Sequence, residues 1–159
     1  MTEKNYIAML EDSLEKKVDI LRQLQTLCQE QTEMLGNPDM TPEMFDENVE
    51  KKGVLIEKLE TLDQGFEQLF ERVKADITSD KEKYRNAILR MQEMIRDITD
   101  RSNHIQVMES RNKDLVQKKF GEIRSQAREI RQSGKAVSSY YQNMMGRNVA
   151  EPQFMDSKE

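Results

Sequence analysis

The chain has no tryptophan, one cysteine and one histidine among its 159 residues. A single Cys28 rules out an internal disulfide and argues against a metal cluster. A single His104 leaves no Ser-His-Asp triad and no histidine-based metal motif to assemble. Glycine and proline are scarce, six and three residues, so the chain has few places to turn. The segments "QSGKAV" and "GRNVAEP" lack the spacing of a phosphate-binding loop. No stretch approaches 18 uncharged apolar residues, so no membrane span is read. The first residues, "MTEKNYIAMLEDSLEKK", lack the basic region and apolar run of a signal peptide. Cytoplasmic location is the default expectation. Among the many carboxylates nothing selects a catalytic pair, so the chain is read as a non-enzyme with no cofactor.

What the chain does have is charge. Hydrophobic residues make up 36% and charged residues 35%, the first low and the second high for a globular domain. Such a composition suits long helices that each bury one stripe, with Asp and Glu pairing Lys and Arg at i,i+4 on the wet faces. The charge is unevenly spread. Residues 1–110 carry 15 basic and 24 acidic side chains, whereas residues 111–135 carry eight basic and three acidic. Such a basic stretch suits an acidic partner or nucleic acid, and equally a solvated face near a helix C-terminus. Aromatic residues are not interleaved with its cations, which favours the solvated face over nucleic acid.

The apolar spacing predicts three helical segments. The first covers 3–35, with Ile7, Leu10, Leu14, Leu21, Leu24 and Cys28 on one seam that Lys17 interrupts. Val18, Ile20, Leu27 and Met34 widen the stripe beyond a two-stranded seam, as a bundle with more than one neighbour requires. Gly36 is a candidate C′ residue and Pro38 ends the run. Thr41, Pro42 and Glu43 read as N-cap, N1 and acidic first turn. The second helix then covers 42–77, with Phe45, Leu55, Leu59, Leu62, Phe66, Leu69 and Val73 on its seam. Gly53 and Gly65 inside it either admit a close neighbour or mark soft points. Ser79 with Glu82 reads as a capping box for the third helix, which covers 80–131 or longer, with Tyr84, Ile88, Met91, Ile95, Ile98 and Ile105 on its seam. Its stripe thins over "ESRNKD" (109–114) and resumes at Leu115, Val116 and Phe120. Met44, Met91 and Met94 fit core positions. The expected fold is all-α: three long antiparallel helices in a bundle or coiled coil, the last longer than the others and extending beyond them. The helical domain spans 1–145, and 146–159 form a flexible polar tail.

The lengths do not match. At about 1.5 Å per residue the first two helices are about 50 and 55 Å long, and the third is about 80 Å or more. The overhang carries "KKFGEIRSQAREIRQSGKAVSSYYQNMM" (118–145), whose apolar residues Phe120, Ile123, Ala127, Ile130, Val137, Tyr141 and Met144 form a heptad seam with Gly134 in the open slot. Leaving such side chains in water forfeits about 1.5–3 kcal/mol each. Three destinations are open to the seam: another protein, a second copy of the chain, or the bundle itself through a turn at Gly134. Met144 and Met145 at its end suit an adaptable binding surface.

The residues also resemble a known family. The stretches "ENVEKKGVLIEKLETLDQGFEQLFERV" (47–73), "AVSSYYQNM" (136–144) and the closing "PQFMDSKE" (152–159) are similar to FlgN-type flagellar type III export chaperones, in the form found in clostridial bacteria. The resemblance implies a small cytoplasmic helical chaperone that binds the C-terminal amphipathic segments of hook-associated (hook–filament junction) proteins. It would prevent their premature assembly and deliver them to the export apparatus. On this chain the implied client-binding residues are Phe120, Ile123, Ala127, Ile130, Val137, Tyr140, Tyr141, Met144 and Met145. The alternative is a structural coiled-coil protein that self-associates as a homodimer.

Overall fold

A computed structural model describes residues 3–120. They form α1 (Glu3–Leu35), α2 (Pro42–Ser79) and α3 (Arg85–Lys119). Contacts between α1 and α3 keep a nearly constant offset, 79 residues at Glu11–Arg90 and 80 at Thr32–Asn112. These two helices therefore run parallel. Contacts between α1 and α2 run the other way: Lys17 meets Asp63 and Gln31 meets Asn48, so α2 is antiparallel to both. α1 is the central helix, packing along both α2 and α3. The widened stripe on α1 answers to this position: Val18 and Ile20 are buried along with the seam, because two helices flank it.

The α1 seam is continuous at steps of three and four. Ile7, Leu10, Leu14, Lys17, Leu21, Leu24, Cys28, Gln31 and Leu35 are all buried. Lys17 does not interrupt the seam. Its ammonium lies 2.6 Å from the Asp63 carboxylate on α2, with both side chains below a tenth exposed. A buried charge is tolerated only when paired in this way. Opposite the apolar part of the seam stand Leu55, Leu59, Phe66, Val73 and Ile77 of α2 and Met91, Ile98, Ile105 and Met108 of α3, in one cluster.

The α1–α2 connection is built from local chemistry. Thr41 has extended backbone angles and its hydroxyl accepts from the Met44 amide at 3.2 Å; Pro42 opens the helix and Glu43 occupies its first turn. These are the features expected from the sequence, and they satisfy one of the free amides at a helix start. Gly36 ends α1 differently. It lies just past the helix, but no described glycine has positive φ. Its amide instead donates to Thr32 and Glu33 carbonyls at 3.2 and 3.1 Å, a helical continuation rather than a left-handed cap.

The second boundary departs from the capping-box reading. Ser79 is the last residue of α2, and its hydroxyl donates back to the Asp76 carbonyl at 3.1 Å. The connection is held by Asp80, whose carboxylate accepts from the Lys83 amide at 3.3 Å. Five residues separate the helices, and α3 starts at Arg85 after Tyr84, whose side chain does not cap the helix. A serine hydroxyl that bonds the preceding turn is unavailable to the following one. Of the methionines read as core, Met91 is fully buried and Met94 packs at the core edge, but Met44 is exposed. Within the described residues α3 has 35 residues, against 33 and 38 for its partners. It closes at Lys119, with Phe120 as C-cap at φ −110° and ψ 15°. The expected continuation to residue 131 and beyond, and the 146–159 tail, lie outside the described residues.

A Cβ placed on Gly53 or on Gly65 would meet nothing within 4 Å. These glycines therefore admit no close neighbour, and each weakens α2 by about 1 kcal/mol relative to alanine. Gly53→Ala and Gly65→Ala are each expected to raise unfolding free energy by about 0.5–1 kcal/mol. Urea denaturation followed by circular dichroism measures this, with an unchanged slope showing that the fold is preserved.

Candidate partner-binding site

The site begins where the bundle ends. Leu35, Phe45, Val116 and Phe120 form a second small core at the base, edged by Met34, Met40 and Val49. The rings of Phe45 and Phe120 stand 6.0 Å apart, tilted by 59°, a favourable aromatic arrangement. The Lys119 ammonium caps α1 from below, donating to the Leu35 and Asn37 carbonyls at 3.5 and 2.9 Å. A cation there meets the negative end of the α1 dipole. Phe120 is thus 7% exposed and held by the bundle's own α1 and α2, rather than standing free as the first residue of an open seam. Ile123, Ala127, Ile130, Val137, Tyr140, Tyr141, Met144 and Met145 lie outside the described residues.

One turn above this base, the three helices share a buried polar layer. Lys52 of α2 donates to Glu109 of α3 at 2.6 Å and to Gln31 of α1 at 3.2 Å. Gln31 in turn donates to Asn48 at 3.0 Å, and Asn48 to the Leu27 carbonyl at 3.0 Å. Across the layer, Asn112 donates to the Cys28 carbonyl at 3.0 Å and accepts from the Thr32 hydroxyl at 2.6 Å. The Lys52 and Glu109 side chains are 3% and 7% exposed. The second Glu109 oxygen has no hydrogen-bond partner among the described residues.

Apolar periodicity missed this layer, because "ESRNKD" contains no apolar residue. The seam nevertheless runs through it: Ile98, Ser102, Ile105, Glu109, Asn112 and Val116 are all buried at steps of four and three. Extending the spacing without regard to residue type finds both polar members. Lys52, the partner of Glu109, sits on the corresponding step of α2, and Gln31, which also accepts from Lys52, on that of α1.

Cys28 lies beside this layer. Burial, and then the negative charge of Glu109, push its thiol up to about 12, with Lys52 opposing. A thiol so held stays protonated and is a poor nucleophile. His104 is exposed, its Nδ1 2.9 Å from the Gln25 amide nitrogen. No group of three or more metal-binding side chains occurs among the described residues, and no described helix is long and apolar enough to cross a membrane. The chemistry of the layer is positional: it fixes how the three helices slide against one another. The base core, where the chain continues towards 121, is set by that register.

Two outcomes are expected. Lys52→Met alone leaves Glu109 buried and unpaired and costs about 3–5 kcal/mol, whereas Lys52→Met with Glu109→Leu costs much less; a double-mutant cycle by urea denaturation reads the difference. The raised thiol also predicts a pH dependence. Above the ordinary thiol value of 9.0 the unfolded chain releases the Cys28 proton, while the folded chain holds it until about 12. Stability from this group is complete below pH 9 and falls as pH rises, by at most about 1.4 kcal/mol per pH unit. Comparing unfolding at pH 8 and pH 10 for the wild type and Cys28→Ala isolates this loss, which the variant lacks.

Comparison with known proteins gives one match. Residues 1–144 match the family model described as FlgN protein. Neither the curated proteins nor the solved structures contain a match. The match runs through all three helices and the base, and on through the seam to residue 144. It is a family of chaperones rather than enzymes, active in flagellum biogenesis and protein export. The chain therefore belongs to the FlgN family of flagellar export chaperones.

Proposed function

We propose that this chaperone acts in the cytoplasm, binds the C-terminal amphipathic segments of hook-associated proteins, prevents their premature assembly and delivers them to the export apparatus. The observation that carries the reading is where the bundle stops. The described core is closed at its base by Phe45 and Phe120, yet the apolar seam continues in sequence through Ile123, Ala127, Ile130, Val137, Tyr141 and Met144. A seam that outruns its own bundle suits helix-on-helix pairing with a client segment that is itself amphipathic. Tyr140 and Met145, beside the seam, add an aromatic ring and a thioether able to repack around different clients. Ordering the pair on binding keeps affinity moderate, as suits a client that must be released.

The structure changes which substitutions test this. Phe120 supports the bundle, so altering it confounds binding with stability. Ile123→Asp with Ile130→Asp is the cleaner variant. It is expected to leave the thermal melt of the bundle within about 2 °C and to weaken binding of hook-associated C-terminal peptides by about tenfold or more, read by calorimetry. Unchanged binding removes the seam as the client surface. Sedimentation of the wild type at several concentrations separates the competing self-association reading: a monomer is expected without client, and a dimer at micromolar concentration favours the structural coiled coil.

A further inference from the structure

The corner where α1 turns into α2 is strongly negative. Residues 23–50 hold seven carboxylates and no lysine or arginine. All seven carboxylates are exposed. Among the described residues only Glu47 has an ion-pair partner, Lys51 at 3.5 Å. Lys119 also reaches the corner, but there it bonds the Leu35 and Asn37 carbonyls rather than a carboxylate. These two cations leave a large excess of negative charge.

Part of this charge serves the fold. Glu43, in the first turn of α2, meets the positive end of that helix's dipole. Glu30 and Glu33 do the opposite. They lie near the end of α1, where the dipole is negative, and α1 has no basic residue in its last turn. Charge of the wrong sign at a helix end weakens the helix. The one side-chain hydrogen bond they make among the described residues runs from Gln29 to Glu33, 3.3 Å long and exposed. Charges that break a local rule with so little structural return belong to a functional surface.

The same corner is apolar at its centre. Gln31 bonds Asn48 across the two helices at 3.0 Å. One turn nearer the connection stand Met34 and Leu35 on α1 and Met44 and Phe45 on α2. Leu35 and Phe45 turn into the base core, whereas Met34 packs at its edge together with Met40 from the connection. Met44 stands outside, 43% exposed. On the helices, Glu30 lies one turn before Met34 and Glu47 one turn after Met44, and Asp39 precedes Met40. Three methionines are thus ringed by carboxylates.

Negative charge repels phosphate backbones and anionic lipid surfaces, so the complement of this corner is a polypeptide. An apolar anchor flanked by cations matches it in both respects, and flexible thioether side chains repack around such an anchor. We propose that the α1–α2 corner docks a basic amphipathic segment of another protein, its apolar side chains on Met34, Met40 and Met44 and its lysines or arginines against Glu30, Glu33 and Asp39. This surface lies within the described bundle and uses no residue of the seam beyond Phe120.

Methionine-methyl NMR on the full chain tests it. The probe is a synthetic amphipathic helix with leucines at helical spacing and lysines on both flanks; the control carries glutamate in place of lysine. The lysine probe is expected to shift the Met34, Met40 and Met44 methyl signals to saturation and to leave those of Met9 and Met91 unmoved, while the control shifts none. Glu30→Lys with Glu33→Lys is expected to weaken binding about tenfold or more while holding or raising the thermal melt, a separation that a merely structural role would not give. Met44→Ser, at an exposed position, is expected to weaken binding about fivefold with the melt within about 2 °C of the wild type. Binding indifferent to Met44→Ser is charge attraction alone and overturns the proposal, as do absence of binding and equal binding by the control. Shifts confined to Met144 and Met145 overturn it in favour of the seam. A dimer in sedimentation that Glu30→Lys with Glu33→Lys dissolves overturns it in favour of a second copy. Hook-associated peptides take no part in this experiment, so its failure leaves the client role of the seam standing, and loss of client binding leaves the corner standing.

Discussion

The ion pair between Lys52 and Glu109 is the constraint on which the arrangement of the helices depends. α1 is gripped on both sides, but α2 and α3 meet chiefly through side chains that reach across. A hydrophobic seam alone tolerates sliding by a heptad at modest loss, since one leucine replaces another. An ammonium and a carboxylate buried at 2.6 Å do not, because any slip leaves two unpaired charges in an apolar interior. Gln31, Asn48 and Asn112 extend the same demand to α1, and Lys17–Asp63 repeats it higher up. Polar residues at core positions specify register in coiled coils by this means.

Register has a consequence at the base. With Lys52 opposite Glu109, Phe45 falls opposite Phe120 and Leu35 opposite Val116, and the core closes there. The chain then continues with a seam whose first residue is already used. That geometry makes residues 3–120 a bundle closed at its base by its own side chains.

Much of this was legible in the sequence, and the failures have a common cause. The limits of α1 and the start of α2 followed from apolar spacing and from Thr41–Pro42–Glu43, all local features. Ser79 and Gly36 misled because a capping residue is defined by backbone angles, and serine or glycine can also sit in an ordinary helical last turn. Glu109 and Asn112 looked like a gap because periodicity counts apolar residues, while their burial depends on Lys52, the Thr32 hydroxyl and the Cys28 carbonyl on other helices. Met44 shows the converse: an apolar residue on an exposed turn. Gly53 and Gly65 had two readings, and only the empty space around them decides between these. Of the candidate partner residues, Phe120 was identified as apolar and seam-bound, but its partner proved to be Phe45 within the same chain.

The central claim is that the bundle is complete at Phe120 and that the seam beyond it is the part that responds to a partner. Hydrogen exchange on the full chain, alone and with a hook-associated C-terminal peptide, addresses it most directly. The account predicts that amides around Leu24, Leu59 and Ile98 exchange at the global unfolding rate in both samples, while those of residues 123–145 gain at least tenfold protection only with peptide. Protection gained along α1–α3 instead, with residues 123–145 unchanged, would contradict it.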